Sequence, residues 1–193
     1  YFLFNQLIPG LFTVVNLGGT AIGTGINTNP AYRNLAINNL SAISGFPIRS
    51  AMDLVAATSD MGDFVLLSGM LKRLALKLSK ICNDLRLLSS GPRTGINEIN
   101  LPARQPGSSI MPGKVNPVIP EAVNQIAFEI SGNDVAISMA AEAAQLQLNA
   151  MEPLIAFKLF DSMRLLGSAM DMLRQLCIKD ITANQQHCSS LVH

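Results

Sequence analysis

Regularly spaced apolar residues constrain the fold of this 193-residue chain more than any other feature. Between Asp53 and Leu88 they recur every three or four positions, which is the period of one helix face. They are Leu66, Met70, Leu74, Leu78, Ile81, Leu85 and Leu88. Ser89-Ser90-Gly91-Pro92 follows, and glycine with proline is typical of a helix end. The spacing therefore predicts a long helix that ends near residue 88.

Two further long helices are predicted downstream. One begins near Pro120, because proline fits the first helical turn and Glu121 favours the positive end of the helix dipole, and it continues to about Asn149. The other runs from Pro153 to about Cys177. No alternating strand pattern competes with these helices. The predicted fold class is therefore all-α, a bundle of long helices.

The composition suggests that other protein covers much of the surface. Charged residues make up 14% of the chain, against about 25% in an ordinary soluble domain. The net charge of +1 argues against nucleic acid as the main partner. Tyr1 to Tyr32 carries no charge, but polar residues and a Gly/Thr-rich run interrupt it, so a buried helix and loop are expected there. We expect neither a membrane span nor a secretory signal.

The few cysteines and histidines indicate reduced thiols and no metal site. Cys82, Cys177 and Cys188 are widely spaced and form no Cys-x-x-Cys motif, which suits a cytoplasmic protein. His187 and His193 are too few to build a zinc site. The chain begins with Tyr1 rather than methionine, so we expect it to be a fragment.

Residues 91–119 form the segment most suited to chemistry. Four glycines and five prolines predict a long loop, and long loops in compact proteins are usually functional or disordered. Residues 107–117 supply two hydroxyls, Lys114 and Asn116 just before a helix N-terminus, which favours a carboxylate or phosphate. A phosphate loop is rejected because no strand precedes Gly113-Lys114. The run from Gly18 to Gly25 does not fit a dinucleotide motif and is interpreted as a tight turn against packed helices.

Gly107-Ser108-Ser109-Ile110-Met111-Pro112-Gly113-Lys114-Val115-Asn116-Pro117 resembles the signature of the aspartase/fumarase superfamily without a departure. The flanks are also similar over roughly residues 15–188. They include Asn16 to Gly25, Leu88 to Arg93 and Gly132-Asn133-Asp134. The resemblance implies that residues 1–180 are part of the central helical-bundle domain, with its N-terminal part missing. Residues 181–193 would begin the small C-terminal domain, in truncated form.

Three segments resemble the aspartase branch rather than fumarase: 97–102, 120–125 and 140–149. This similarity implies an ammonia-lyase that converts L-aspartate reversibly to fumarate through an aci-carboxylate intermediate. It also implies a cytoplasmic homotetramer that needs no organic cofactor, with a divalent cation left open as an activator. Fumarase, which eliminates water from malate, is the alternative enzyme. A non-catalytic fragment that retains only subunit contacts is the alternative of another class.

The resemblance also implies roles for individual residues. Ser108 would be the catalytic base, activated by nearby positive charge and by closure of the loop over substrate. Ser109 would hydrogen-bond the substrate carboxylate, while Lys114, Asn116 and the helix N-terminus would receive the charge of the dianion. Glu121 matches a glutamate that supports a histidine from another chain segment. A plain helix N-terminal charge is an equally good interpretation of Glu121.

Two other parts of the family's active site are not recognisable in this sequence. Family active sites combine segments from three subunits, among them a Thr/Ser/Asn-rich loop and a Thr-His pair that precede the region matched by this chain. Residues 1–14 and 189–193 also depart from the aspartase pattern. We therefore expect that this chain alone lacks part of the active site.

Overall fold

The computed structural model describes residues 9–105, 107, 110–111 and 114–192. The helices are α1 Pro30–Ser44, α2 Ala56–Ser59, α3 Gly62–Leu88, α4 Val118–Glu142, α5 Glu152–Leu176 and α6 Gln185–Ser190. The strands are β1 Val14–Val15, β2 Arg49–Ser50, β3 Ile99–Asn100 and β4 Thr182–Ala183. β1 pairs with β2 in parallel, and β3 pairs with β4 antiparallel. The predicted all-α class is confirmed, since the strands have only two residues each.

The chain forms two compact units. The first contains the residues up to Gly69 together with Asp134–Leu159, and the second contains Met70–Asn133 together with the residues from Phe160 onward. The second unit has a buried core cluster made by α3, α4, α5 and the residue that follows α5. Its members are Cys82, Val123, Ala169, Leu173 and Cys177. All three long helices therefore contribute to the core of the second unit.

The range from Asp53 to Leu88, over which the apolar spacing was noted, is not one continuous helix. The structure has the short α2 and a break before α3, because two aspartate side chains cap separate helix starts. Asp53 Oδ1 accepts hydrogen bonds from the backbone N–H of Val55 and Ala56, and Asp60 Oδ1 accepts one from Gly62. Such side-chain caps satisfy N–H groups that lack a partner within the helix. The predicted end near Leu88 is confirmed.

The predicted end of the second helix near Asn149 is wrong, since α4 ends at Glu142. Asn149 is 2% exposed, and its side-chain Nδ2 donates to the backbone oxygens of Ala140 and Ala141 at 3.0 and 3.3 Å. Its Oδ1 accepts a hydrogen bond from the N–H of Met151 at 2.8 Å, just before α5. One buried amide thus joins the end of one helix to the start of the next.

Helix α5 agrees with its predicted bounds, whereas α1 was not predicted. Ile37 is the one residue of α1 that the structure buries, and the larger apolar side chains of this helix, such as Leu35 and Ile43, are exposed. Of the buried helix and loop expected within Tyr1–Tyr32, the described part shows a helical stretch at residues 9–11 that is exposed or half-buried, turns and bends over residues 16–29 after β1, and the start of α1 at Pro30. Among the described residues, no helix combines the length and apolar character needed to cross a membrane.

The run from Gly18 to Gly25 is a series of tight turns, as predicted. Gly23 has a φ of 81° and lies directly against the backbone of Leu54 and Val55. A Cβ at this position would collide with that backbone, so the close approach requires glycine. Nearby, the Asn16 side chain donates to the buried Thr58 hydroxyl at 3.3 Å. The run therefore serves packing within the first unit.

Candidate functional site

The two arms of the signature segment 107–117 touch each other. A Cβ added to Gly107 would collide with the backbone carbonyl oxygen of Lys114, so only glycine allows this approach. The Lys114 N–H donates to the carbonyl oxygen of Met111 at 3.2 Å, which forms a turn. The predicted base Ser108 and the predicted carboxylate ligand Ser109 lie outside the described residues. The contact between Gly107 and Lys114 is therefore what the structure shows of this segment's geometry.

Lys114 and Asn116 follow this contact on the way to α4. Lys114 is exposed, and within the described ranges no carboxylate forms an ion pair with its ammonium group. Asn116 is half-buried, and its carbonyl oxygen accepts a hydrogen bond from the N–H of Val118 at 2.9 Å. The two predicted ligands thus lie within one turn of the start of α4. A cation and an amide at a helix N-terminus suit a bound anion.

Glu121 lies in the first turn of α4 and is the negative group nearest to this N-terminus in sequence. Its backbone N–H donates to the carbonyl oxygen of Pro117 at 3.1 Å, so it belongs to the first hydrogen-bonded turn. Its side chain is 40% exposed, and Oε1 lies 3.9 Å from Nη2 of Arg86. The carboxylate is therefore available to a further donor while being held on one side by a cation.

Arg86 and Asn124 were missed by the sequence analysis. Arg86 Nη1 donates to Oδ1 of Asn124 at 3.2 Å, and Asn124 Nδ2 donates to the backbone oxygen and the hydroxyl of Ser79. These contacts join the end of α3 to the start of α4. The available signal was an arginine in the last turn of a mostly apolar helix, but its partner depends on how two helices pack.

A cavity of about 140 Å³ lies beside the C-terminal end of the signature segment. It is lined by Ser89, Gly91, Pro92, Asn97, Ile99, Asn100, Leu101, Val115 and Pro117. Three side chains of this lining carry hydrogen-bonding groups, and two of its residues belong to the signature segment. Residues 89–101, which follow α3, therefore form a partly polar wall next to the candidate site.

The residues around α6 hold this wall in place through its backbone. His187 Nε2 lies 2.8 Å from the carbonyl oxygen of Ile96. Asn184 donates from its backbone N–H to the Glu98 carbonyl oxygen at 2.8 Å and from Nδ2 to the Asn97 carbonyl oxygen at 3.1 Å. β4 pairs with β3 next to these contacts. His187 therefore has a structural partner in the wall.

Two of the three free thiols, those of Cys82 and Cys177, are buried and protonated. Cys82 is 0% exposed and Cys177 is 1% exposed, and both belong to the core cluster. Burial raises the pKa of the Cys82 thiol to about 11; neighbouring Cys177 adds to this rise and Arg86 opposes it. Burial also raises the pKa of Cys177. In the part of the chain that the structure describes, no three His, Cys, Asp or Glu residues are grouped to hold a metal ion.

Comparison with known proteins identifies relatives along most of the chain. A family model described as lyase matches residues 3–132. An aspartate ammonia-lyase of Pseudomonas aeruginosa is 73% identical over 187 residues, which cover 97% of this chain and 40% of that protein. An aspartate ammonia-lyase of Escherichia coli is 58% identical over 188 residues, covering 97% of this chain and 39% of that protein. The chain thus spans about 40% of the length of the curated relatives it matches.

Solved structures share the fold. A fumarate lyase:delta crystallin from Brucella melitensis superposes with a TM-score of 0.90 and 60% identity, covering 94% of this chain and 39% of that one. A class II fumarase from Schistosoma mansoni superposes with a TM-score of 0.89 but only 32% identity, covering 96% of this chain and 42% of that one. The backbone is therefore common to both proteins, while the sequence lies much nearer to the first.

Proposed function

The chain belongs to the lyase family, and from this we propose that the full-length protein carrying it eliminates ammonia from L-aspartate to give fumarate. One observation supports this choice above all. Sequence identity is 73% and 58% with two aspartate ammonia-lyases but 32% with a class II fumarase of nearly the same backbone. The proposed class is therefore a carbon–nitrogen lyase.

The proposed reaction begins with removal of a proton from C3 of aspartate, next to the side-chain carboxylate. The electron pair enters that carboxylate and makes a dianionic aci-carboxylate. The electron pair then moves back from the carboxylate and forms the C2–C3 double bond, while the C2–N bond breaks and ammonia leaves. The costly state is the dianion, so positioned positive charge and hydrogen-bond donors contribute most.

We assign Ser108 as the base and Ser109 as a donor to the substrate carboxylate, with Lys114 and Asn116 as charge-stabilising ligands. The geometry of their neighbours supports these roles. Lys114 is exposed beside the contact with Gly107, and Asn116 lies just before the N-terminus of α4. A serine needs nearby positive charge and exclusion of water to act as a base.

Glu121 is proposed to support a histidine from another chain segment. Its carboxylate is 40% exposed, so it can accept a hydrogen bond from a group outside this chain. Because the chain spans only about 40% of its relatives' length, we place that histidine outside these 193 residues. The proposed active site is therefore completed by other segments or subunits.

The full-length protein is proposed to be a cytoplasmic homotetramer without an organic cofactor. Large apolar side chains are exposed on α4 and α5 of this chain, which suits burial against other subunits. Examples are Phe128, Val135 and Met139 on α4, and Phe157, Phe160 and Met163 on α5. The three free cysteines suit a reducing compartment.

The test is fumarate formation by the full-length protein, followed by its ultraviolet absorbance. Turnover of L-aspartate but not of malate is the expected result. Turnover of malate alone would replace the proposal with fumarase, and turnover of neither would favour a non-catalytic assembly protein. Ser108→Ala is the matched control, because it removes the proposed base and leaves the charged ligands in place.

A further inference from the structure

The Arg86 guanidinium contacts both the buried amide of Asn124, which orients it, and the carboxylate of Glu121. Asn124 is 3% exposed, and its Nδ2 donates to the backbone oxygen of Ser79 at 3.1 Å and to its hydroxyl at 2.8 Å. An amide nitrogen has two hydrogens, so Ser79 uses both. The acceptor Oδ1 must then face away from Ser79, and Arg86 Nη1 donates to it at 3.2 Å. The direction of the amide is therefore fixed by its own hydrogen bonds.

The planar guanidinium transfers this orientation to its second nitrogen. Once Asn124 fixes Nη1, the position of Nη2 in the same plane is restricted, and it lies 3.9 Å from Glu121 Oε1. Among the described residues, no hydrogen bond reaches Glu121 Oε2. Oε1 is thus the carboxylate oxygen that faces the Arg86 cation, and Oε2 accepts no hydrogen bond from a described residue.

We infer that Arg86, held by Asn124, is a positioning residue for Glu121. The inference rests on the proposed function, in which Glu121 supports a histidine from another segment. Arg86 restrains the carboxylate at Oε1, so that Oε2 presents one direction to the incoming histidine. Reorientation of the carboxylate would misplace that histidine, and small misplacements of reacting groups lower turnover strongly.

A purely stabilising role would be weak for this pair. The side chains of Arg86 and Glu121 are 42% and 40% exposed, and ion pairs of that exposure contribute little to stability. Helices α3 and α4 are also joined by the buried hydrogen bonds between Asn124 and Ser79. The two roles therefore predict different effects of replacing Arg86. Loss of a positioning residue lowers turnover, whereas loss of a structural residue lowers stability.

The test is a double-mutant cycle in the full-length protein, using whichever substrate, L-aspartate or malate, gives fumarate. Arg86→Gln should lower kcat on the order of tenfold and leave KM within about twofold. The same substitution in a Glu121→Gln background should change kcat by less than about twofold, because its target is gone. Arg86→Lys, which keeps the charge but not the planar fork, should fall between Arg86→Gln and the parent.

Arg174→Gln is the matched control, because Arg174 makes an exposed ion pair of 3.8 Å with Asp171. It should leave kcat and the melting temperature unchanged. Multiplicative losses in the double variant would overturn the inference, and so would an Arg86→Gln loss that tracks a lower melting temperature. Turnover of malate alone would overturn the proposed function, yet the cycle on malate would still decide the role of Arg86. Turnover of neither substrate would overturn both.

Discussion

The hydroxyl of Ser68 donates a hydrogen bond of 2.7 Å to Oδ1 of Asp134, although 66 positions separate the two residues. Both are buried, at 3% and 6% exposure. A hydrogen bond to a buried carboxylate is stronger than one between neutral groups, so the loss of such a bond is costly. This contact joins α3 to α4 within the first unit.

Ser68→Ala is expected to lower the free energy of unfolding of the full-length protein by about 1.5–3 kcal/mol, because it removes a donor from a buried carboxylate. Urea denaturation measures the change. Ser138→Ala is the control, since the Ser138 hydroxyl donates only to the Asp134 backbone oxygen of its own helix at 2.9 Å. Its effect should stay below about 0.5 kcal/mol. Equal losses in the two variants would contradict the role given to the Ser68 contact.

Asn149→Asp should destabilise the protein by about 1–3 kcal/mol. Aspartate keeps the oxygen that accepts from Met151 but cannot donate to Ala140 and Ala141, whose carbonyl oxygens it would repel. Thermal unfolding provides the measurement. Asn149→Ala removes both sets of contacts and should cost at least as much. An Asn149→Asp variant as stable as the parent would show that the link to the end of α4 contributes nothing.

Stability should decline in alkaline solution because of Cys82. Its thiol has a pKa of about 11 in the folded state, above the ordinary value of 9.0, so the unfolded state loses its proton first. The stabilising effect is complete below pH 9 and is lost as the pH rises to about 11, by about 2 kcal/mol. Urea denaturation across this range should show a flatter decline for Cys82→Ala than for Cys188→Ala. Identical slopes would refute the assignment to Cys82.

Gly107→Ala should impair turnover much more than stability. The added Cβ collides with the Lys114 carbonyl oxygen, so the two arms of the signature segment must separate. We expect kcat to fall by about tenfold to a hundredfold and the melting temperature to change little, because both residues are exposed. Gly132→Ala is a suitable control, since nothing lies within 4 Å of a Cβ there. Retention of full turnover in Gly107→Ala would show that the contact is unimportant.

Substitutions at the proposed ligands should rank in a fixed order in the full-length enzyme. Ser108→Ala should reduce kcat by orders of magnitude with KM within a few-fold, because the base acts mainly in the transition state. Lys114→Ala should damage both, at a cost of about 2–4 kcal/mol. Ser109→Ala should cost about 0.5–1.5 kcal/mol, as for one ordinary hydrogen bond. Near-normal turnover of Ser108→Ala would leave only the carboxylate-binding assignments.

Apolar periodicity predicted the helices whose ends depend on local sequence. The end of α3 at Leu88 and the extent of α5 agree with their predicted bounds. The end of α4 could not be predicted in this way, because it depends on Asn149, which folds back to carbonyl groups eight and nine positions earlier. The split of the chain into domains at residue 180 stays a prediction.

The residues of the candidate site likewise fall into those that local sequence predicts and those that depend on packing. Lys114, Asn116 and Glu121 were predicted from one continuous segment, and the lyase relationship of that segment is confirmed by the comparisons. Arg86 and Asn124 belong to separate helices, so their contact depends on packing that no local pattern encodes. The roles of Ser108 and Ser109 stay predictions, since both residues lie outside the described part of the chain.

The hydrogen bonds that hold the wall beside the candidate site should constrain the sequence more strongly around α6 than along the wall itself. His187, Asn184 and Cys188 reach the segment from residue 96 to residue 98, and every acceptor there is a main-chain carbonyl oxygen. Every amino acid supplies that oxygen, so side chains along the wall can drift among homologues without loss of these hydrogen bonds. The side chains of Asn184, His187 and Cys188, which supply the other half of these contacts, have no such freedom. Purifying selection should therefore fall on the distant partner rather than on the wall it holds.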